Sequence, residues 1–429
     1  MVDRDYTVDH LDAWLLNAGV GPDDKVAVAV SGGADSLALA FLAAACRPTL
    51  AITVDHCLRP DSGAEAETVT SMLADQNIAH QIVRWSGAKP TGNIQAVARR
   101  ERYRLLTDVC REQGISFLLT GHHMDDQAET LILRLARGSG LYGLAGMPAV
   151  TPDYAGTGIA LLRPFLRTRK EQLIAFLQRH DLDWIEDPSN ENKAFDRVKV
   201  RQFLKEPPLE GLDILRLSET ADRLRRSRQA ITFYVNQWLD TYARMEPQHY
   251  VSIPSEALNS APDEIVLRGI IAILHAVADA EYAPRFEKLE RLYAAMRDID
   301  FAGVTLAGCK IEPLGDGFLF AREPSAISPA TPLGDGVWDN RFVVSAQTNS
   351  VADLVIMPLA DDLWGQARAQ WPDLKDIMVP TVVRRGLPVV CRLAENGDAE
   401  VVELPTLGKC STGTPIVTLS CLSNAIPKK

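Results

Sequence analysis

The stretch AVAVSGGADSLALAFLAAA, residues 27–45, decides the fold. Val26, Val28 and Val30 alternate with alanines, as a buried strand requires, and Leu37, Leu39, Phe41 and Leu42 fall in a helical run that stops near Pro48. Between strand and helix lies a turn carrying two glycines, two serines and an aspartate. Gly32 and Gly33 let the main chain approach a ligand closely. The first N–H groups of a helix have no partner within it and carry the positive end of its dipole, so the turn suits an anion, phosphate above all. Ser31 and Ser36 add hydroxyl donors, with Ala34 between them. Asp35 conflicts with a phosphate unless a cation separates the two, and a magnesium nucleotide removes the conflict. The plainer alternative is a turn in which Asp35 or Ser36 only caps the helix. Neither G-x-x-x-x-G-K-[ST] nor G-x-G-x-x-G occurs here, which argues against the two commonest phosphate loops.

Outward from this turn, short apolar runs alternate with helical segments. LAITV (50–54), HQIVRW (80–85) and SFLLT (116–120) read as strands, and 62–77, 94–113 and 124–137 as helices. That alternation predicts an α/β fold: a parallel sheet with helices on both faces, Rossmann-like, with ligands at the carboxyl ends of the strands. SGGADS (31–36), DHCLRP (55–60) and GHHMDDQAET (121–130) each follow such an end, which points to one shared site. After Pro207 and Pro208 a long helix is expected over 212–245, with a basic cluster at Arg223, Arg225, Arg226 and Arg228. A solvated helix face and an RNA contact explain that cluster equally well. More helix is expected over 263–298, the Pro-rich 324–336 reads as a linker, and VPTVVRRGLPVVCRL (379–393) and GTPIVTLSCL (413–422) look strand-rich. The expected organisation is an α/β catalytic domain over 1–210, a helical domain over 211–325, and a linker with a small strand-rich α+β domain over 326–429.

Composition narrows the function classes. The 429 residues contain 24% charged and 46% hydrophobic residues, as in a soluble globular protein. The start, MVDRDYTVDHLDAWLL, has acids where a signal peptide needs basic residues, and no apolar run reaches membrane-spanning length, so a cytoplasmic protein is expected. Seven scattered cysteines without a C-x-x-C pair indicate reduced thiols, with neither a zinc site nor a disulfide framework. A net charge of −11 argues against a nucleic-acid partner, but residues 90–205 carry 17 Lys and Arg against 14 Asp and Glu, so a local basic face remains compatible with RNA.

The densest polar cluster is TGHHMDDQAETLILRLARGSGLYGLAGM (120–147). A helix starting near Met124 places Asp126 and Glu129 on one face. Beside a phosphate site, two carboxylates can bind magnesium, hold a substrate ammonium or take its proton. The plainer alternative makes Asp125 and Asp126 acids of a helix start and Glu129 a surface residue. His122 and His123 with the aspartates also suggest a metal hydrolase, but no second ligand set with the right spacing accompanies them. On NIQAVARRERY (93–103), Arg99 and Arg102 lie three apart and can steady a transferring phosphoryl group or an RNA phosphate. Arg197, Lys199 and Arg201 alternate within 184–204, which gathers them on one side of an extended segment and scatters them around a helix.

Taken together, SGGADS, VDHCLRPDSGAEAE (54–67), NIQAVARRERY, GHHMDDQAET with the following RGSGLYGLAGM, LLRPFL (161–166) and DPSNENKAFDR (187–197) resemble the PP-loop ATP pyrophosphatases, and within them the tRNA(Ile)-lysidine synthase family. The resemblance is strong over about 20–205, moderate over 305–323 and faint beyond. It implies a ligase that uses ATP to adenylate the C2 oxygen of the wobble cytidine in an isoleucine tRNA with a CAU anticodon. The ε-amine of free L-lysine then displaces AMP. Carried over, Ser31, Gly32, Gly33, Ala34, Asp35 and Ser36 bind the ATP phosphates, Asp35 through Mg2+. Asp126 and Glu129, with His123 beside them, recognise or deprotonate lysine. Arg102, Arg197 and Arg99 contact the reacting phosphate or the RNA. The middle and C-terminal domains would read the tRNA, the latter on its acceptor side, and a homodimer is left open. The Arg-Asn pair usual after the DPSN turn is Arg197–Val198 here, so the asparagine's role is absent or supplied elsewhere. A thiolase using paired cysteines would need the missing C-x-x-C, and a nucleotide-binding protein without catalysis would have no use for Asp126 and Glu129.

Overall fold

The computed structural model describes residues 6–57, 62–87, 94–186, 196–278, 283–347, 353–394, 398–412 and 414–421. The chain divides into two compact units, Met1–Arg228 and Gln229–Lys429. The first runs through α1 (Val8–Asn17), β1 (Val26–Ala29), α2 (Ala34–Ala44), β2 (Thr49–Asp55), α3 (Ser62–Ala74), β3 (Ala79–Arg84), α4 (Ile94–Glu112), β4 (Phe117–Thr120), α5 (Met124–Ala136), α6 (Leu141–Leu144), β5 (Val150–Thr151), β6 (Ala160–Leu162), α7 (Lys170–Arg179) and α8 (Asp196–Lys205). α9 (Ile214–Tyr242) starts in this unit and ends in the second.

The strand order is β3-β2-β1-β4-β6-β5, parallel throughout except for the short edge pair β5–β6. This is the expected parallel sheet. Its central strand works because its side chains differ in size between faces. Val26 and Val28 join the core formed with α1, α2, α3 and α7, while Ala27 and Ala29 face Tyr103, Leu106 and Val109 of α4. Alanines on that side let the bulkier α4 residues lie close to the sheet. Helix α2 is buried at nine of its residues, Ala34 and Ser36–Ala43, because sheet and helices enclose it; the uniformly apolar LALAFLAA suits that position. The strand ALL (β6) and its partner β5 were not foreseen: three and two residues are too short to show a period.

One close approach joins the site's two halves. A Cβ on Gly121 would lie 2.8 Å from the carbonyl oxygen of Asp35 and 3.1 Å from the nitrogen of Ser36. Only glycine lets the turn after β4 rest against the first turn of α2.

In the second unit, β7 (Arg244–Glu246), β8 (Tyr250–Pro254), β9 (Val304–Leu306), β10 (Cys309–Leu314) and β11 (Gly317–Arg322) form an antiparallel sheet in the order β7-β8-β11-β10-β9. The helical stretch expected over 263–298 consists of two helices, α10 (Asp263–Ala278) and α11 (Phe286–Met296), with Pro284 just before the second. Both pack on one face of the sheet with Phe318 and Phe320, whereas Leu319 and Ala321 of the same strand join a core with Leu359, Trp364 and Val389. Period-two alternation in β11 thus serves two cores at once. The remaining strands are β12 (Thr331–Pro332), β13 (Gly336–Trp338), β14 (Phe342–Ala346), β15 (Leu354–Pro358), β16 (Pro388–Leu393), β17 (Ala399–Leu404), β18 (Lys409–Cys410) and β19 (Val417–Cys421), with α12 (Asp361–Gln370) and α13 (Thr381–Arg384) among them. They form one five-stranded and one three-stranded sheet, as the strand-rich reading anticipated. The expected linker itself contributes β12 and the start of β13. Among the described residues no helix is long and apolar enough to cross a membrane.

Gly121→Ala should lower unfolding stability by about 1–3 kcal/mol, the usual cost of overpacking. Gly63→Ala, where a Cβ meets nothing within 4 Å, is the control. Urea denaturation of both variants decides, and equal midpoints would contradict the close approach.

Candidate active site

The turn after β1 folds as its glycines suggest. Gly32 takes a φ of +86°, and its carbonyl accepts a hydrogen bond from the N–H of Ile185 at 2.9 Å. Ser36 is occupied within the loop: its Oγ donates to the carbonyl of Gly33 at 2.9 Å and accepts from the N–H of Ser31 at 3.1 Å. The serine expected to be a ligand donor therefore braces the turn. Among the described residues, no acceptor takes the main-chain N–H groups of Gly32, Gly33, Ala34 or Asp35. Four unpaired amides at a helix start form an anion cradle.

A cleft of about 950 Å³ opens at this point, lined by the loop, by Thr53, Asp55 and His56 at the end of β2, and by Arg102, Lys170, Trp184 and Arg201. Its volume is that of a nucleotide-sized pocket. It sits at the carboxyl ends of β1 and β2, where ligands bind in open parallel sheets.

Helix α5 supplies the acids. Asp126 caps its own helix by accepting the N–H of His123 at 3.1 Å. His123, buried at 3% exposure, has Asp35 at 3.5 Å, Asp125 at 3.4 Å and Asp126 at 3.5 Å around its ring. Burial opposes a charge on this imidazole, but the three carboxylates outweigh it and lift its pKa to about 10. His123 is thus an imidazolium at neutral pH. The adjacent His122 behaves oppositely: burial, with Arg163, Arg99 and Arg102 nearby, drives its pKa to about 3 against the pull of Asp126. Its Nδ1 pairs with the Thr120 hydroxyl at 2.9 Å. Asp125 is half-buried, yet His123 and the N–H of Lys170, 3.0 Å away, outweigh that burial and hold its carboxyl down at about 2. The carboxyl of Asp126 is likewise lowered, because His123 offsets its burial.

Glu129 is 2% exposed, and burial raises its pKa although Arg201 Nε donates to its Oε1 at 2.6 Å. Its other oxygen, Oε2, is buried with no partner among the described residues. Such an orphaned acceptor is costly unless a ligand satisfies it. Neither Asp126 nor Glu129 lines the cleft directly. Each is tied to a residue that does: Asp126 through His123 to Asp35, and Glu129 to Arg201.

The expected residues come together unevenly. Ser31 to Ser36, His123, Asp126, Glu129 and Arg102 belong to one site. Arg197 lies in the first turn of α8, where its charge favours the ionised forms of Asp126 and Glu129. Arg99 is exposed on α4 and lies over the ring of Tyr103 at 5.3 Å. Because 196–205 is helical, Lys199 leaves the face that Arg197 and Arg201 share: Lys199 pairs with Asp196 at the surface, and Arg201 turns inward. Val198 is buried at 6% exposure, so the position where the resemblance expects asparagine packs into the interior. DPSN (187–190) lies outside the described residues.

Sequence reasoning missed Lys170, whose Nζ is 3.8 Å from Asp35, and gave Arg201 no role. Reading 196–205 as a helix would have exposed the second, since positions 197 and 201 then share a face.

With this geometry in place, comparison with known proteins is direct. A family model described as the PP-loop domain matches residues 9–207. The tRNA(Ile)-lysidine synthase of Wolbachia pipientis wMel is 32% identical, with 97% of this chain and 96% of that protein covered. The chain belongs to the tRNA(Ile)-lysidine synthase family. The tRNA(Ile)-lysidine synthase of Hyphomonas neptunium is 39% identical over 72% of this chain and 84% of its own length. That of Ruegeria pomeroyi is 35% identical over 79% and 80%. Membership in this lysidine synthase family agrees with a parallel-sheet unit whose glycine turn after β1 ends in an anion cradle.

The His123 pKa sets a pH signature. Because it is raised from 6.5 to about 10 on folding, its stabilisation is complete below about pH 6.5, fades as pH rises and is gone above about pH 10. The stability difference between wild type and His123→Gln should therefore shrink between pH 6.5 and 10. A difference that stays flat across that range in urea titrations would show that His123 is neutral.

Proposed function

We propose that the protein joins lysine to C2 of the wobble cytidine of a CAU-anticodon isoleucine tRNA, with ATP consumed to AMP and pyrophosphate. The observation that carries this reading is the pairing of four unpaired amides at Gly32–Asp35 with an acid set reached through His123 and Arg201. In the first step the cytidine C2 oxygen attacks the α-phosphorus; the new O–P bond forms as the bond to pyrophosphate breaks. The amides, with Ser31 beside them, hold the departing diphosphate and stabilise its developing charge. Lys170 and Arg102, both lining the cleft, add positive charge there.

In the second step the lysine ε-amine attacks C2, and the C2–O bond breaks to release AMP. An ammonium is not a nucleophile, so one proton must leave first. Glu129 Oε2, buried and unpartnered, offers an acceptor for that ammonium, and the raised pKa of this carboxyl brings it nearer to taking the proton. Asp126, kept ionised by His123, supplies the second negative charge.

The residues fit a magnesium ion carried by the nucleotide. Asp35 Oδ1 is buried without a partner among the described residues while Oδ2 faces His123 and Lys170, so one hard oxygen of the loop is left without a protein partner. Mg2+ commonly takes one or two carboxylates and fills its shell with phosphate and water. Bound there, it would neutralise charge on the triphosphate.

Labelled lysine should enter a CAU-anticodon tRNA transcript only when ATP is present, and no label in RNA would remove the proposal. Asp35→Ala should abolish incorporation with the fold intact. Glu129→Gln should raise the KM for lysine by about 10- to 100-fold, from the loss of a charge-assisted hydrogen bond, while the KM for ATP stays within about twofold.

A further inference from the structure

Next to the acid set lies a patch of uncompensated positive charge. Arg99, Arg102, Arg134, Arg163 and Arg228 have no carboxylate within ion-pair distance among the described residues. The neighbours are different: Arg223 pairs with Glu219, and both Arg225 and Arg167 pair with Asp222. Arg99 connects them: after burial, Arg228 and Arg99 lower the pKa of Arg134, and Arg99 adds to burial in lowering those of Arg102 and Arg163. In a chain of net charge −11, such a gathering of like charge is unfavourable until an anion arrives.

A built surface accompanies the charge. The glycine-rich loop after α5 is bound back onto that helix: Gln127 exchanges two hydrogen bonds with the main chain of Met147, at 2.7 and 2.8 Å, and Arg134 donates to the carbonyls of Gly143 and Gly146. Arg163 clamps the following residue by donating to the carbonyl of Pro148 at 2.8 Å. Gln127 lies between Asp126 and Glu129 in the same helix, so the loop's position relative to the acids is fixed. The loop carries Tyr142, half-buried, with the Arg228 guanidinium 5.1 Å from its ring centroid. Aromatic rings and guanidinium planes are the usual stacking partners of unpaired RNA bases, and arginines the usual partners of their phosphates.

Resting on the proposed reaction, we infer that the Arg228–Tyr142 pair is the stacking platform for the anticodon nucleotide that follows the target cytidine, with Arg99 and Arg134 holding its phosphates. Fixing that neighbour splays the cytidine toward Asp126 and Glu129. Arg228 and Tyr142 are thus positioning residues: they touch the RNA beside the reacting base.

The test uses the full-length protein and a CAU-anticodon tRNA in which 2-aminopurine replaces the adenine after the wobble cytidine. Wild type should quench its fluorescence. Tyr142→Ala and Arg228→Ala should leave it near the free value and raise the tRNA Kd about tenfold, with ATP affinity unchanged. Tyr142→Phe, which keeps the ring, should quench as wild type does, and Arg228→Lys, which keeps charge without the plane, should not. Arg99→Ala should reduce the slope of log K against log salt by about one. Arg225→Ala, whose charge Asp222 already matches, should change nothing. Unaltered quenching and Kd in Tyr142→Ala and Arg228→Ala, with wild type incorporating lysine, would overturn the inference alone. Wild type that incorporates no lysine would overturn the reaction and the inference with it.

Discussion

Everything in the catalytic unit depends on the contact between the first turn of α2 and the turn after β4. One side of that contact leaves four main-chain amides without acceptors among the described residues; the other begins the helix that carries Asp126 and Glu129. Gly121 makes the approach sterically possible, and His123 makes it electrostatically favourable. Three carboxylates gathered within 3.5 Å of one ring would repel one another strongly in a buried setting. The imidazolium among them converts that repulsion into a link between the amide cradle and the acids of α5.

The same economy of charge recurs around the cleft. Adjacent histidines shift in opposite directions because burial, with arginines nearby, prevails at His122, whereas three carboxylates outweigh burial at His123. Glu129 is half satisfied by Arg201 and half left open. Lys170 and His123 occupy one oxygen of Asp35, and the other has no partner among the described residues. In each case the unsatisfied atom points to a ligand, and the satisfied one keeps the group in place without it.

Much of this was legible in the sequence because it depends on local rules. Alternating valines and alanines specify a buried strand, and a paired-glycine turn before an apolar helix specifies an anion cradle. GHHMDDQAET reads as a helix start whose acids share a face. What remained hidden depends on long-range packing. Ser36 looked like a donor for ligand, yet it is consumed by the turn. Arg201 looked interchangeable with Arg197 and Lys199 until a helix turned it inward to Glu129, seventy-two positions away in the chain. Lys170 belongs to no motif; it reaches Asp35 only because α7 packs on α2. The break between α10 and α11 was hidden by continuous helical composition.

The central claim is that the amides of Gly32 to Asp35 cradle the diphosphate that leaves during the reaction. Titration of perdeuterated, 15N-labelled protein with pyrophosphate tests it most directly. The account predicts that the N–H resonances of Gly32, Gly33, Ala34 and Asp35 move together and saturate with a single affinity, while those of β8 and β11 stay still. Pyrophosphate binding that leaves those four amides unmoved would contradict it.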